Sequence, residues 1–161
     1  MSRIDKENYY LDIAETVLER STCRRVRGRA IIVRNDEIVS TGLKAPRAGP
    51  NQIDLGHCTW ERRGGPESGR YELCRSVHAE ANAIISAARS ECLGGALYLV
   101  SRDAVTGELL ERQEPCSVCC RMIINAGLSK VVVQDSGSRY RVFRVQDWVF
   151  KMIPSWSRAR A

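Results

Sequence analysis

Two short runs carry residue types able to hold a metal and move a proton: His78-Ala79-Glu80 and, further along the chain, Pro115-Cys116-Ser117-Val118-Cys119. One imidazole and two thiolates supply three ligands, which leaves one corner of a tetrahedral zinc open to water. An open corner marks a catalytic site, because zinc lowers the pKa of water there toward neutrality and makes it a nucleophile. Glu80 lies two residues past the imidazole and so does not stack on its helical face as a second ligand would. A carboxylate in that place suits a proton carrier within hydrogen-bond reach of the water and of a leaving group.

Taken singly, neither run says much, since Cys-x-x-Cys more often marks a structural zinc or a redox pair. The two in this order, each opening a helix, form the signature of zinc-dependent nucleobase deamination. In that chemistry water attacks the amidine carbon bearing the exocyclic amine, Glu80 carries the proton to the ring nitrogen and then to the amine, and ammonia leaves.

The elements that must position these residues follow from periodicity. Apolar residues Tyr10, Ile13, Ala14, Val17 and Leu18 recur at helical spacing and predict a first helix over residues 8–20. Two β-rich runs, 30–33 and 38–41, flank Arg34-Asn35-Asp36-Glu37 and predict a hairpin. Residues 44–76 are too rich in proline and glycine for a regular element, and so long a loop in a small domain is expected to be functional or pinned. A buried helix over 78–89, closed by Gly94-Gly95, leads to a central strand at 96–100. The polar stretch 101–114 then reaches Pro115 and a helix over 116–126, stopped by Gly127. Strands at 130–134 and 140–145, a short helix over 147–153 and a frayed tail complete the chain. Strands alternating with helices imply a sheet covered on both faces.

At 161 residues and 43% hydrophobic composition, one domain spanning residues 1–161 with a single core is expected. The chain has no apolar run of the ~18 residues a membrane span needs, and its charged start is unlike a secretion signal, so a cytoplasmic protein is expected. Seven cysteines in that setting point to metal or catalysis rather than disulfides. The net charge is +6, but the arginines are scattered without aromatic interleaving, which favours small anions over nucleic acid.

The run from Tyr71 to Ile85, with Cys74-Arg75-Ser76-Val77-His78-Ala79-Glu80-Ala81-Asn82 at its centre, resembles the zinc segment of deoxycytidylate (dCMP) deaminases. Residues Pro115 to Gly127, ending in Asn125-Ala126-Gly127, resemble that family's second zinc segment, and the likeness extends over about residues 13–133. The resemblance implies a three-layer α/β/α cytidine deaminase-like fold with a mixed, about five-stranded sheet. It implies dCMP turnover to dUMP with one catalytic zinc held by His78, Cys116 and Cys119. A homo-oligomer, hexamer or dimer, and regulation by dCTP and dTTP are implied with it. The rival readings are a deaminase of nucleic acid, on tRNA adenosine or single-strand cytosine, and a zinc-binding relative without catalysis, against which the intact Glu80 speaks.

Where the family carries Gly-Tyr-Asn-Gly, with its Asn on the nucleotide, this chain has Gly42-Leu43-Lys44-Ala45-Pro46-Arg47. Lys44 and Arg47 either hold a phosphate or are exposed loop cations. Tyr140 either stacks on a base or packs at the sheet edge. Some phage-type relatives carry cysteines near Cys23 and Cys58 for a second, structural zinc. Here Cys23, His57, Cys58 and Cys74 are the expected set, which would tie the long loop to the end of the first helix. The other reading makes the cysteines small buried hydrophobes and leaves His57 on a loop surface.

Overall fold

A computed structural model describes residues 3–46, 48–68 and 73–151. Its elements in chain order are α1 (Lys6–Thr16), β1 (Val26–Arg34), β2 (Glu37–Leu43), α2 (Ala79–Ile85), α3 (Arg89–Cys92), β3 (Ala96–Asp103), α4 (Ser117–Ala126), β4 (Lys130–Ser136), β5 (Arg139–Arg144) and α5 (Val145–Lys151). The strands form one mixed sheet in the order β2-β1-β3-β4-β5, with β3 and β4 parallel and the other pairs antiparallel.

Alternation along the strands sorts side chains into two cores. Ala30, Ile32, Leu97, Leu99, Val131 and Val133 face α2, α3, α4 and α5, while Ile31, Val33, Tyr98, Val100 and Val132 face α1. The three consecutive valines of β4 are explained at once: both faces of a central strand are dry. The β1–β2 hairpin turns on Asn35 and Asp36, at φ 51° and 64°, a two-residue turn whose twist matches the strands and which Asn and Asp tolerate.

Several boundaries differ from the periodic reading, the first strand among them, which begins at Val26 rather than at 30. The first helix ends at Thr16 and resumes as one tighter turn, Leu18–Arg20. The second is broken at Ser86, and α3 restarts with the Ala88 amide donating to the Glu91 carboxylate at 2.8 Å. The third strand runs on to Asp103, whose side chain accepts from the amides of Val105 and Thr106 at 2.8 Å each and turns the chain back. Leu110 then donates to the Ser101 carbonyl at 2.9 Å, so much of the 101–114 stretch is an ordered excursion on the end of β3. The helix expected over 147–153 is seen as Val145–Lys151, and the expectations for 152–161 lie outside the described residues.

The long loop contains two tight helical turns, Glu61–Arg63 and Gly65–Ser68, and is pinned by polar contacts. Gln52, fully buried, accepts from the Arg24 amide at 2.9 Å and donates to the Ser76 hydroxyl at 2.9 Å. The Arg25 guanidinium lies 4.5 Å from the centre of the Trp60 ring. No described helix is long and apolar enough to cross a membrane.

Candidate metal centre

Two helix starts meet beyond the C-terminal end of β3. His78 is the N-cap of α2, extended at φ −65° and ψ 152°, and Cys116 is the N-cap of α4, extended at φ −65° and ψ 165°. Pro115 enforces the second start, because its ring pushes the residue before it out of the helical region. Cys119 follows in the first turn of α4, where the unbonded amides and the helix dipole favour a thiolate.

His78 Nδ1 stands 3.6 Å from Cys116 Sγ and 3.5 Å from Cys119 Sγ, and the three atoms lie within 4.8 Å of one another. Zinc bonds of about 2.3 Å to sulfur and about 2.0–2.1 Å to nitrogen, at a tetrahedral angle, put nitrogen and sulfur about 3.5–3.6 Å apart. The donor set therefore fits zinc in both chemistry and spacing. Burial pushes the Cys119 thiol well above its ordinary range, and the charges of Glu80 and Cys116 add to the shift. A thiol in that position becomes a thiolate only when a cation replaces its proton. His78 is held toward its neutral, ligating form by burial and by the Lys44 charge, against the opposing pull of Glu80.

Glu80 is 6% exposed, sits in the first turn of α2 and lies against the Cys119 thiol. It opens into a cavity of about 200 Å³ with Lys44, His78, Ser101, Gln113, Glu114 and Cys116 on its walls. Larger hollows of about 740 and 490 Å³ lie on the α1 side, and no three metal-binding side chains converge in either among the described residues.

Close packing holds α2 against β2. A Cβ at Gly42 would stand 2.1 Å from the Ala79 carbonyl oxygen and 2.2 Å from the Ala83 amide nitrogen, so only glycine lets α2 approach. The buried Asn82 side chain donates to the carbonyls of Leu43 at 2.7 Å and Ala45 at 3.0 Å. Lys44 between them is fixed by its own backbone: its amide donates to Gly28 O at 2.8 Å and its carbonyl accepts from the Ser21 hydroxyl at 2.9 Å. The structure thus brings Lys44 to the pocket with the three ligands and Glu80.

The other described candidates lie elsewhere. Arg47 is outside the described residues. Tyr140 pairs with Gln134 and packs among Tyr10, Tyr98 and Val132, on the face of the sheet opposite α2 and α4, so within this chain it does not stack over the site. Cys23 and Cys58 are buried near Cys74, whose thiol is raised by burial and further by the charges of those two. Their sulfurs do not close to the spacing of the His78 set, which is the one group of three ligands within 4.8 Å among the described residues. His57 is turned away, its Nδ1 2.7 Å from Leu55 O and its Nε2 3.4 Å from an Arg62 nitrogen. Residues not singled out individually are Asn82, Ser101, Gln113 and Glu114: the last three lie in the polar stretch directly before the zinc cysteines, whose place there marks it as able to shape the pocket, and an Asn amid the apolar residues of a short helix is the signal for the first.

Comparison with known proteins agrees with this geometry. The family model of the cytidine and deoxycytidylate deaminase zinc-binding region matches residues 4–135. The chain is 32% identical over 139 residues to the deoxycytidylate deaminase of Mycobacterium phage D29, spanning 82% of this chain and 96% of the phage protein. It is 28% identical over 148 residues to the deoxycytidylate deaminase of Saccharomyces cerevisiae, spanning 91% of this chain but 41% of the yeast protein. Among solved structures it superposes on the dCMP deaminase of cyanophage S-TIM5 in complex with dCMP and dUMP, with a TM-score of 0.58, 23% identity and coverage of 84% and 85% of the two chains.

Proposed function

Because the chain belongs to the cytidine and deoxycytidylate deaminase family, we propose that it hydrolyses dCMP to dUMP and ammonia. The observation that carries the reading is the buried Glu80 carboxylate beside a three-ligand set at zinc spacing. Bound zinc supplies the Lewis acidity that makes water nucleophilic near neutral pH. Glu80 takes a proton from the attacking water, delivers it to the ring nitrogen, and carries a second to the departing amine. Burial keeps bulk water from competing for those protons. Carbon loses nitrogen and gains oxygen, so cytosine plus water becomes uracil plus ammonia with no other reactant.

A cavity of about 200 Å³ is smaller than the roughly 300–1,000 Å³ of a drug-sized site, which suits a single ring entering edge-first with its sugar and phosphate at the cavity mouth. Lys44 stands where the family's Asn would and contributes a point charge for the phosphate. Association of copies through α2 and α4 is supported by Ile85 and Val118, 68% and 53% exposed on those neighbouring helices.

Ammonia release by zinc-loaded protein over dCMP, dCTP, cytidine and cytosine tests the reading. The fastest turnover is expected with dCMP. No release from any of them would overturn it.

A further inference from the structure

Arg141, on β5 and outside the pocket wall, gathers three acceptors. Its Nε lies 3.2 Å from Asp135 Oδ1, its Nη1 3.1 Å from Glu114 Oε1, and its Nη2 donates to the Gln113 carbonyl at 2.8 Å. Asp135 completes the arrangement by accepting from the Arg112 amide at 2.8 Å, the largest of the contacts that hold its carboxyl below the usual range. The Phe143 ring lies 5.3 Å from the guanidinium carbon. Three of these contacts reach residues 112–114, the strap that joins the excursion after β3 to Cys116. Gln113 and Glu114 form a wall of the cavity that also holds Lys44, His78 and Glu80.

The strap needs such a clamp for a reason visible in its composition. Pro115 has no amide hydrogen and forces Glu114 into extended backbone, so α4 cannot extend back through the segment, and residues 112–114 belong to no helix or strand. It must borrow its hydrogen bonds from side chains. Arginine suits the task because one planar group donates in three directions; lysine is a single point.

We propose that Arg141 is a positioning residue: with Asp135 it clamps residues 112–114 so that Gln113 and Glu114 present a fixed wall to the sugar end of the substrate. The inference rests on the deaminase reading for its kinetic consequence but not for its structural one. The metal ligands stay held by α2 and α4, so loss of the clamp loosens substrate binding rather than the chemical step.

The test compares Arg141→Gln and Arg141→Lys with the parent protein, all zinc-loaded, by hydrogen–deuterium exchange and by dCMP kinetics. We expect exchange of the 110–116 segment to rise at least ~10-fold in both variants, since both lose the fork, with α1 and β1 unaffected. KM for dCMP is expected to rise about tenfold with kcat within about twofold, the split that loss of uniform binding produces. Zinc content should stay at the parental value. Unchanged exchange in the 110–116 segment overturns the clamp, whatever the parent's activity. Faster exchange with KM unchanged, or with kcat falling alone, overturns its role in substrate binding. Parent protein inactive on every pyrimidine, with exchange still responding to Arg141, would sink the function and leave the clamp standing.

Discussion

The side-chain amide of Asn82 donates to the main-chain carbonyl of Leu43 across 2.7 Å, joining the helix that carries Glu80 to the segment that carries Lys44. The same nitrogen also serves the carbonyls of Ala45 and Val77, at 3.0 and 3.4 Å. One buried donor thus holds both sides of the pocket and the residue preceding the imidazole.

Asn82→Ala removes that donor and strands carbonyls in the interior. Leaving a buried polar group without its partner costs about 1–3 kcal/mol, so denaturant unfolding should show a loss of that size. Asn82→Asp should be worse, because a carboxylate cannot donate and faces carbonyl oxygens. Equal stability of Asn82→Asp and the parent would show that the amide is not acting as a donor.

Glu80→Gln keeps shape and removes the proton carrier. General acid–base catalysis contributes ~10²–10⁴-fold, so kcat should fall by at least ~10²-fold while bound zinc, measured by atomic absorption, stays at the parental amount. Substantial residual turnover would remove Glu80 from the mechanism.

The metal site was legible in the chain because few residue types can ligate zinc, and Pro115 and Gly127 bracket one of its helices. The sheet was legible where alternation is strong, as in residues 96–100 and 131–133. Tyr140 was not, because the face a strand residue takes depends on register, and one step moves it to the other side. The pinning of the long loop was equally hidden: Gln52 works through Arg24, 28 positions away, and nothing local marks a glutamine for burial. Gly42 falls just past the strand expected over 38–41, and only its contact with Ala79 and Ala83 shows why no side chain fits there.

Metal content separates the two cysteine groups. The His78 set has zinc spacing, while Cys23, Cys58 and Cys74 do not close to it and His57 points elsewhere. One zinc per chain is expected, unchanged by Cys74→Ser and abolished by Cys116→Ser with Cys119→Ser. A content of two that drops to one in Cys74→Ser would establish a second site in the loop.

Protonation of the ligands makes the metal-free and loaded proteins respond differently to alkali. In the metal-free chain Cys119, and less centrally Cys74, Cys92 and Cys120, are raised above the ordinary thiol value of 9.0 by burial. Above that pH the unfolded chain sheds thiol protons that the native chain keeps, so stability falls as pH rises, by at most about 1.4 kcal/mol per unit for each such thiol. His78 is shifted down from 6.5, so below that value the unfolded chain takes up a proton the native chain resists, and stability falls on acidification as well. With zinc bound the ligand thiols have already lost their protons, and the stabilisation by metal should weaken as acid returns them. Thermal unfolding at pH 5.5, 7.5 and 10, with zinc and with chelator, reads these slopes. The gap between the two forms should be widest at pH 10 and narrowest at pH 5.5; a gap that widens toward acid would mean that the buried thiols are not what the metal engages.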